Sequence, residues 1–435
     1  MKKRTFVVIG NSASGLACIE AIRGIDKDSP IINISKEPCR PYSRCLLSYY
    51  LAGMIPKERL WIRKENYYKE LNAQPLLDTE VLSIDEKERK LELSSKKTVT
   101  YDKLLIATGA SSKKISVKGA DKKGVFCLRT MEDADGILSM LKEVKSVVIL
   151  GGGLIGMRAA YSLKKQHKDV HVVVKSSHIF SQMLDYESAD MIKSILGHNG
   201  IEISTGLEAV EIAGGEKVEG VVLDDGNRLE CQLVIIGKGV SPNIDLCKGR
   251  VKTNEGVLVD ASLQTSDEAI YAAGDAAEGF DMLEEKNALN AIWPAAVKQG
   301  KVAGLRMVDK KVTYEGSCGM NSVEFFGLSA ISFGIVRPKQ EGYEELIQAN
   351  FAKNIYRKVV LKNNRIVGGV CVNDVEKHGI ILNLALQKID ISDIKDILLE
   401  EYFDYGKIIP LVKRQKESFK RPEYSDTVLT YDSVW

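Results

Sequence analysis

Residues 5–15 read TFVVIGNSASG, a short apolar strand that runs directly into a glycine-rich turn and a helical pattern. Residues 146–156 repeat the arrangement as SVVILGGGLIG. A strand, a tight glycine turn and a helix N-terminus together direct backbone N–H groups and a positive dipole end at a pyrophosphate. Two such turns, about one domain apart, predict two dinucleotide sites.

The composition is that of a globular protein with more than one domain. The chain has 435 residues, of which 44% are hydrophobic and 28% charged, and a single core of that size is unusual. The formal charge of +2 gives no global reason to expect binding to nucleic acid or a membrane. No apolar stretch has the length of a membrane span, and the N-terminal apolar run is too short for a signal peptide. Eight cysteines without a Cys-x-x-C pair or zinc spacing favour a reducing, cytoplasmic location and predict no metal site.

A weak internal duplication predicts the fold class. After each turn come a helix (16–23 and 157–163), a strand (31–35 and 170–174) and a later apolar strand that ends in Gly109 or Gly237. Repeated βαβ units require a buried parallel sheet with right-handed crossovers. The sequence therefore predicts an α/β protein with two doubly wound, Rossmann-like dinucleotide-binding domains.

From Gly316 onward the pattern changes to strand-like runs at 323–326, 330–336, 358–362 and 366–372, followed by a helical segment at 379–386. We interpret this part as an α+β interface domain. Residues 401–435 mix polar and aromatic residues with weak periodicity and are interpreted as a partly ordered extension. The predicted domains are 1–115 with 243–315, 116–242, and 316–435.

A third motif lies late in the chain. Residues 265–275 read TSDEAIYAAGD, a strand followed by a turn that presents the carboxylate of Asp275. Some twenty residues later, residues 293–296 read WPAA and open another helix, with Pro294 at a favoured first-turn position.

Together the three motifs resemble the FAD-dependent pyridine nucleotide-disulfide oxidoreductase superfamily over essentially the whole chain. The resemblance implies that Asp275 binds the flavin ribityl chain and that the helix from Pro294 to Gly304 points its N-terminus at the isoalloxazine O2 edge. The helix dipole leads to the same assignment, because negative charge builds up at that edge on reduction. The cofactors expected are FAD and NAD(P)H.

The first turn is a degenerate fingerprint, since Ser12 stands where a glycine usually allows close approach. The acid that normally contacts the FAD ribose is replaced by Ser35. We predict that Glu37 makes this contact instead, the alternative being a solvated turn residue. The predicted FAD-binding residues are Gly10, Ser12, Ala13, Ser14, Gly15, Glu37, Arg44, Ala107, Thr108, Gly109, Gly274, Asp275, Pro294 and Ala295.

The second turn has the ideal spacing, and Lys175 occupies the position about twenty residues on where an acid would bind the adenosine ribose. A lysine followed by serines favours the 2′-phosphate of NADP(H) over NAD(H), the alternative being a solvated residue that leaves the choice open. Arg158 stands where the family often has a glutamate that helps to set the nicotinamide. The predicted NAD(P)-binding residues are Gly151, Gly153, Leu154, Ile155, Gly156, Lys175 and Gly237.

Cys45 is the candidate catalytic residue. It resembles the redox cysteine of NADH oxidases, peroxidases and coenzyme A disulfide reductases, whereas the flanking residues 41–44 and 46–48 resemble NAD(P)H:rubredoxin or ferredoxin reductases. A thiolate beside a flavin, its pKa lowered by Arg44, is suited to peroxide or disulfide chemistry. A lone cysteine is otherwise a small hydrophobic residue. Ala13 replaces the histidine of the peroxide-reducing relatives, and Cys39 is spaced too far for the dithiol reductases.

The function expected from these motifs is electron transfer between NAD(P)H and a separate ferredoxin- or rubredoxin-like protein. A thiol-dependent NAD(P)H oxidase or a coenzyme A disulfide or polysulfide reductase is the alternative, and a flavin-binding structural subunit is a third. The C-terminal basic residues Lys407, Lys413, Arg414, Lys416, Lys420 and Arg421 suit an acidic carrier protein or a solvated tail. A homodimer, or docking into a larger redox complex, is also consistent with the interface domain.

Overall fold

The computed structural model describes residues 3–415, which form two compact units. The first unit contains the residues up to Tyr50, Ile55–Lys113 and Val240–Gly319, and the second contains Leu51–Met54, Lys114–Gly239 and the residues from Met320 onward. Each unit is described by itself below.

The helices are α1 (Ala13–Ile25), α2 (Leu47–Leu51), α3 (Tyr67–Glu70), α4 (Met131–Met140), α5 (Leu154–Lys165), α6 (Tyr186–His198), α7 (Trp293–Met307), α8 (His378–Leu386) and α9 (Tyr405–Arg414). The strands up to residue 113 are β1 (Phe6–Ile9), β2 (Ile31–Ile34), β3 (Ala73–Leu76), β4 (Val81–Asp85), β5 (Lys90–Leu93), β6 (Thr98–Thr100), β7 (Lys103–Ile106) and β8 (Ala110–Ser112). Those from 114 to 239 are β9 (Val125–Phe126), β10 (Ser146–Leu150), β11 (Asp169–Val174), β12 (Ile201–Thr205), β13 (Ala209–Ala213), β14 (Gly220–Leu223), β15 (Arg228–Glu230) and β16 (Leu233–Ile236). The remaining strands are β17 (Val240–Pro242), β18 (Val257–Leu258), β19 (Ile270–Ala272), β20 (Ala277–Asp281), β21 (Lys286–Ala288), β22 (Met320–Phe325), β23 (Leu328–Gly334), β24 (Tyr343–Asn350), β25 (Ile355–Lys362) and β26 (Arg365–Val372).

The first unit is built on a five-stranded parallel sheet in the order β19-β7-β1-β2-β3. All four residues of β1 are buried, as a strand covered on both faces requires. On one side, α1 packs against α7 at two glycines. A Cβ added to Gly300 would lie 2.0 Å from the Ser14 carbonyl oxygen, and one on Gly304 would lie 2.5 Å from that of Cys18. The two helices therefore approach backbone to backbone beside the first glycine turn.

The second unit contains a parallel sheet in the order β12-β11-β10-β16-β9 and an antiparallel sheet in the order β22-β23-β26-β25-β24. The antiparallel sheet carries α8 against β26. Leu150 and Val173 of the parallel strands share a core with Val221 of the small β13-β14-β15 sheet. Apolar burial therefore runs continuously between the parallel sheet and its neighbouring small sheet.

A buried ion pair joins helix α6 to the antiparallel sheet of the second unit. Asp185 caps α6 by accepting a hydrogen bond from the Ser188 backbone N–H at 3.2 Å. Its carboxylate also accepts a hydrogen bond of 2.6 Å from the Tyr356 hydroxyl and lies 3.2 Å from the Lys358 ammonium. The two charged side chains are 7% and 5% exposed. Since a charge buried without its partner is costly, this contact fixes α6 against β25.

The predicted fold class is confirmed, with two parallel sheets of the dinucleotide-binding type. The helices and strands predicted after both turns are present, and α1 and α5 extend beyond their predicted ends. We assigned no regular structure to β24 or α9. Residues 116–239 and 320–415, which make up most of two domains predicted as separate, lie in the same compact unit, so the three-domain division stays a prediction. The predicted extension beyond residue 415 lies outside the described residues.

Candidate functional site

The first glycine turn has the backbone geometry of a phosphate cradle. Gly10 has φ of +128°, a conformation that favours glycine, and a Cβ there would lie 2.0 Å from the Ala107 carbonyl oxygen. A Cβ on Gly15 would lie 2.1 Å from the Gly10 carbonyl oxygen. Both glycines are therefore required by close backbone contacts, and both were identified from the sequence.

Ser12 is the N-cap of α1, with extended backbone (φ −133°) and no side chain capping the helix in the described structure. The first N–H groups of α1, which begins at Ala13, are consequently available to an anion. Ser14 donates a hydrogen bond of 3.4 Å to the Ala273 carbonyl oxygen. Ser14 thereby ties this helix to the Ala-Gly-Asp motif.

Glu37 and Arg44, both predicted FAD residues, lie together at the end of β2. The Glu37 carboxylate accepts hydrogen bonds from the Arg44 guanidinium and, at 2.5 Å, from the Tyr42 hydroxyl. Burial lowers the pKa of Arg44, but Tyr42, Glu37 and Asp275 outweigh it and raise the pKa. These side chains line a small pocket together with the first turn, and its lining residues are Asn11, Ser12, Ser35, Glu37, Cys39, Arg40, Tyr42 and Arg44.

The Ala-Gly-Asp motif is a tight turn fastened by α7. Gly274 has φ of +78°, and its N–H donates a hydrogen bond of 2.7 Å to the buried Gln299 side chain. Asp275 follows in a short 3₁₀ turn and is half-buried. At the start of α7, Pro294 is exposed and Ala295 is buried, and no side chain caps this end in the described structure. Gln299 was not identified from the sequence, because its partner lies 25 residues away.

The predicted segment Ala107–Gly109 leaves the first sheet and is held by Asn243. The Thr108 hydroxyl donates a hydrogen bond of 2.7 Å to the Asn243 carbonyl oxygen, and the Asn243 side chain donates one of 3.0 Å to the Thr108 carbonyl oxygen. Gly109 has φ of +68°. The sequence contained no indication of Asn243, since its contact spans 135 residues.

A buried side-chain amide supports the backbone of the first turn. Asn33 in β2 is fully buried, and its side chain donates hydrogen bonds to the carbonyl oxygens of Gly10 at 2.8 Å and Val8 at 3.2 Å. It accepts a hydrogen bond of 2.9 Å from the Tyr68 hydroxyl, which also contacts Asn11. An asparagine within the apolar strand IINI was the available indication of this role, and the sequence analysis missed it.

The second glycine turn matches the first. Gly151 has φ of +126°, and a Cβ there would lie 2.4 Å from the Gly237 carbonyl oxygen. A Cβ on Gly156 would lie 2.0 Å from the Gly151 carbonyl oxygen, whereas one on Gly153 would meet no atom within 4 Å. Gly153 is the N-cap of α5, which begins with Leu154 and Ile155. The turn therefore presents open backbone at its middle position.

Lys175, at the end of β11, forms an ion pair. Its ammonium lies 2.6 Å from the Glu208 carboxylate, and the Lys238 ammonium lies 3.4 Å from the same carboxylate. The hydrogen bond from Lys175 holds the pKa of Glu208 below its ordinary value. The prediction that Lys175 favours the 2′-phosphate of NADP(H) did not include Glu208, which was not identified from the sequence.

Arg158 on α5 donates a hydrogen bond of 3.1 Å to the Ser322 carbonyl oxygen of β22. The residue that stands where the family often has a glutamate thus fastens the helix to the antiparallel sheet of the same unit. This contact gives Arg158 a structural role.

The candidate redox thiol Cys45 is exposed and lies in a 3₁₀ turn at residues 44–46. Its neighbour Arg44, expected to lower the thiol pKa, contacts the Glu37 carboxylate. Cys39 is half-buried, and burial and Glu37 raise its pKa. All eight cysteines are described, and none of them forms a disulfide.

Of the basic residues near the C-terminus, Lys407, Lys413 and Arg414 lie on α9, and Arg414 pairs with Asp393 at 2.8 Å. Lys416, Lys420 and Arg421 lie outside the described residues. Within residues 3–415, no helix is long and apolar enough to cross a membrane. The same residues contain no group of three or more His, Cys, Asp or Glu side chains placed to hold a metal ion.

The two turns fit the pyrophosphates of two dinucleotides. In each, a first glycine with positive φ and a last glycine in contact with it leave a cradle of backbone that a side chain would fill. In each, the helix that follows begins without a side-chain cap in the described structure. The residues present therefore suit FAD at the first turn and a nicotinamide coenzyme at the second.

Two protein-family models match the chain. Residues 4–300 match the pyridine nucleotide-disulphide oxidoreductase model, and residues 320–389 match the rubredoxin NAD⁺ reductase C-terminal domain. The first match covers the three motifs identified from the sequence, and the second covers β22–β26 and α8.

Related proteins include the NADH-dependent phenylglyoxylate dehydrogenase subunit epsilon of Aromatoleum evansii, 32% identical over 93% of this chain and 96% of that protein. The assimilatory nitrate reductase electron transfer subunit of Bacillus subtilis is 28% identical over 92% of this chain, which spans only 51% of that protein's length. Among solved structures, the NAD-dependent persulfide reductase from A. fulgidus has a TM-score of 0.85 and 26% identity, covering 94% of this chain and 83% of that one. The chain belongs to the pyridine nucleotide-disulphide oxidoreductase family, whose members bind FAD and use NAD(P)H.

Proposed function

We propose that the protein passes electrons between a nicotinamide coenzyme and a small iron–sulfur or rubredoxin-type carrier. The two glycine turns support the coenzyme half of this proposal. Bound FAD would supply the exchange between two-electron nicotinamide chemistry and one-electron carrier chemistry. The carrier is a separate protein in this proposal.

The residues of the first unit have distinct roles in holding FAD. The first turn and the start of α1 would hold the pyrophosphate, and Glu37, which follows β2, would contact the adenosine ribose. Asp275 offers a carboxylate to the ribityl hydroxyls. The start of α7, which no side chain caps in the described structure, would offer N–H groups and a positive dipole end to the flavin edge where negative charge builds up.

We favour a protein carrier over thiol chemistry because of the contacts that Arg44 makes. A reactive thiol requires a positive environment that favours the thiolate. The guanidinium of Arg44 is engaged by Glu37 and lies 2.9 Å from the Tyr42 hydroxyl, so its charge is compensated beside Cys45. The match of residues 320–389 to a rubredoxin reductase domain also supports a protein carrier.

Two of the relatives are named as subunits. One is a subunit of an NADH-dependent dehydrogenase, and the other is an electron transfer subunit. We extend the proposal on this basis: the protein works within a larger redox assembly, with the antiparallel sheet of its second unit as interface domain. Co-purification from the native cell tests this extension.

The second candidate is a thiol-dependent reductase or oxidase acting through Cys45. The exposure of Cys45 favours it, as does the structural similarity to a persulfide reductase. An exposed thiol can be reached by a disulfide, persulfide or peroxide substrate.

Replacing Cys45 with Ser separates the two candidates. We expect the FAD-loaded C45S protein to reduce ferredoxin or rubredoxin with NADH or NADPH at a rate within about twofold of the wild type, because the carrier reaction requires no thiol. Coenzyme A disulfide, polysulfide and oxygen are assayed in parallel. Cys127→Ser, which changes a half-buried cysteine in the other unit, is the control. Loss of carrier reduction in C45S, with FAD still bound and C127S active, would contradict our proposal.

A further inference from the structure

Glu208 lies between two lysines at the carboxyl ends of the second parallel sheet. Its carboxylate is 2.6 Å from the Lys175 ammonium and 3.4 Å from the Lys238 ammonium. Lys175 directly follows β11, and Lys238 follows Gly237 at the end of β16. In a parallel sheet of this type, ligands bind beyond the carboxyl ends of the strands.

The backbone places this acid at the second glycine turn. The N–H groups of Gly206 and Leu207 donate hydrogen bonds to the carbonyl oxygens of Ser176 (3.1 Å) and Val174 (3.2 Å), which brings the segment after β12 alongside the end of β11. A Cβ on Gly237, the residue before Lys238, would lie 2.8 Å from the Gly156 Cα. The three charged side chains therefore belong to segments that meet at the end of the sheet where the turn lies.

The charge balance of this cluster distinguishes two coenzymes. Two ammonium groups alone would form a good site for the 2′-phosphate of NADP(H), which carries nearly two negative charges at neutral pH. The negative charge of the Glu208 carboxylate offsets one of these two positive charges at the same point. A glutamate is ionised at neutral pH, and the hydrogen bond from Lys175 lowers the pKa of Glu208 further.

We propose that Glu208 selects NAD(H) over NADP(H) by accepting hydrogen bonds from the adenosine ribose hydroxyls and repelling a 2′-phosphate. This inference rests on the proposed function, since it assumes that the second turn binds a nicotinamide coenzyme. It reverses the preference expected from Lys175 alone. Lys175 and Lys238 then hold the Glu208 carboxylate in place rather than contacting a phosphate.

The Glu208 side chain is accessible from solvent. Its side chain is 37% exposed, so the carboxylate remains accessible to a bound ribose. The loop itself is held by backbone contacts, including the Glu208 N–H, which donates a hydrogen bond of 3.1 Å to the Asp224 carboxylate. Replacing the Glu208 side chain with its amide should therefore leave the loop in place.

Direct binding tests the inference without any turnover. ADP-ribose and its 2′-phosphate are titrated into the FAD-loaded wild type and into Glu208→Gln by isothermal calorimetry. We expect the wild type to bind ADP-ribose more tightly. In E208Q, affinity for the 2′-phosphate form should rise on the order of tenfold, because a repulsive charge is removed while both lysines remain. Adding Lys175→Ala to E208Q should abolish that gain.

Glu211→Gln is the matched control. Glu211 lies on β13 in the same unit, its carboxylate is 2.8 Å from the Lys118 ammonium, and its exposure of 37% equals that of Glu208. E211Q should bind both ligands as the wild type does, which excludes a general effect of losing one surface charge.

The outcomes separate this inference from the function on which it rests. Tighter binding of the 2′-phosphate form by the wild type, or equal changes in E208Q and E211Q, would overturn the role of Glu208 while leaving a nicotinamide site intact. Failure of the FAD-loaded wild type to bind either probe would overturn both the proposed function and the selectivity.

Discussion

The two glycine turns share one backbone geometry but differ in what surrounds them. Gly10 and Gly151 have φ of +128° and +126°, and a Cβ on Gly15 or Gly156 would lie 2.1 or 2.0 Å from the preceding glycine's carbonyl oxygen. This agreement exists even though the first turn has Ser12 at its middle position. The backbone of the phosphate cradle is therefore set by the first and last glycines.

The groups around the turns differ in charge and burial. The first turn is supported by the buried amide of Asn33, and its acid, Glu37, is 29% exposed and engaged by Arg44. At the second turn an exposed lysine pairs with Glu208. This difference indicates that the two turns hold their ligands in different ways. A buried, hydrogen-bonded surround suits a cofactor that stays bound, whereas an open, charged one suits a coenzyme that exchanges.

The largest expected effect follows Gly15→Ala in the first turn. The new Cβ would overlap the Gly10 carbonyl oxygen, so the cradle must open, and FAD affinity should fall on the order of a hundredfold. The flavin-to-protein ratio after purification and the visible absorbance measure this. Gly24→Ala is the control, since it lies on the same helix and a Cβ there meets no atom within 4 Å. A yellow G15A protein with a full flavin content would show that the cradle is not the pyrophosphate site.

The corresponding change in the second turn, Gly156→Ala, should separate the two ligands. The Cβ would lie 2.0 Å from the Gly151 carbonyl oxygen, and we expect normal FAD content with nicotinamide affinity reduced on the order of a hundredfold. Anaerobic bleaching of the flavin by increasing NADH concentrations gives the measurement. Gly197→Ala on α6, in open space, serves as the matched helix control. Loss of flavin from G156A would break the assignment of one dinucleotide to each turn.

The ion pair of the second unit should matter for stability and for its pH dependence. Asp185→Asn keeps a residue able to cap α6 but removes one of the two acids that pair with Lys358, since Glu345 remains 3.1 Å from its ammonium. We expect the free energy of unfolding to fall by about 2 kcal/mol. Urea denaturation at pH 7 measures it. Asp245→Asn, which breaks a pair whose acid is 90% exposed, should cost less than about 0.5 kcal/mol. Equal losses in the two variants would contradict the argument from burial.

The D185N variant also tests the pH dependence of stability. Burial raises the pKa of Asp185, but hydrogen bonds from Ser188 and Tyr356 and the charge of Lys358 outweigh it, and the net shift is downward from 3.8. A carboxyl group with a lowered pKa in the folded state stabilises the fold above its unfolded pKa. The difference between wild type and D185N should therefore be full at pH 7 and shrink as the pH falls below about 4. A constant difference down to pH 3 would contradict this cause.

The smallest effect is expected from Ser12→Gly, which gives the first turn the middle residue of the second. Ser12 already has extended backbone and does not cap α1 through its side chain. FAD affinity should therefore change by no more than about threefold, as measured by flavin release during dialysis. Gly153→Ser makes the reverse exchange at the open position of the second turn. A large gain in S12G would show that the serine, rather than the outer glycines, limits the first site.

Several elements of the fold were predictable and others were not, for identifiable reasons. The strands β1, β7, β10 and β16 are apolar runs buried on both faces, so their pattern was visible in the sequence. β24 was missed because its residues are almost all exposed and lack an alternating apolar face. α9 was missed because Pro410 interrupts it and only Ile408 and Leu411 are buried.

The amino-acid sequence by itself determined the two glycine turns, the Ala-Gly-Asp turn and the apolar strands of the parallel sheets, because each depends on residues that are close in the chain. The partners of these turns were decided by tertiary structure alone. Gln299 reaches Gly274, Asn243 reaches Thr108, and Glu208 reaches Lys175. Such contacts join segments that meet only when the sheets assemble, so neither spacing nor periodicity can specify which charge ends beside which.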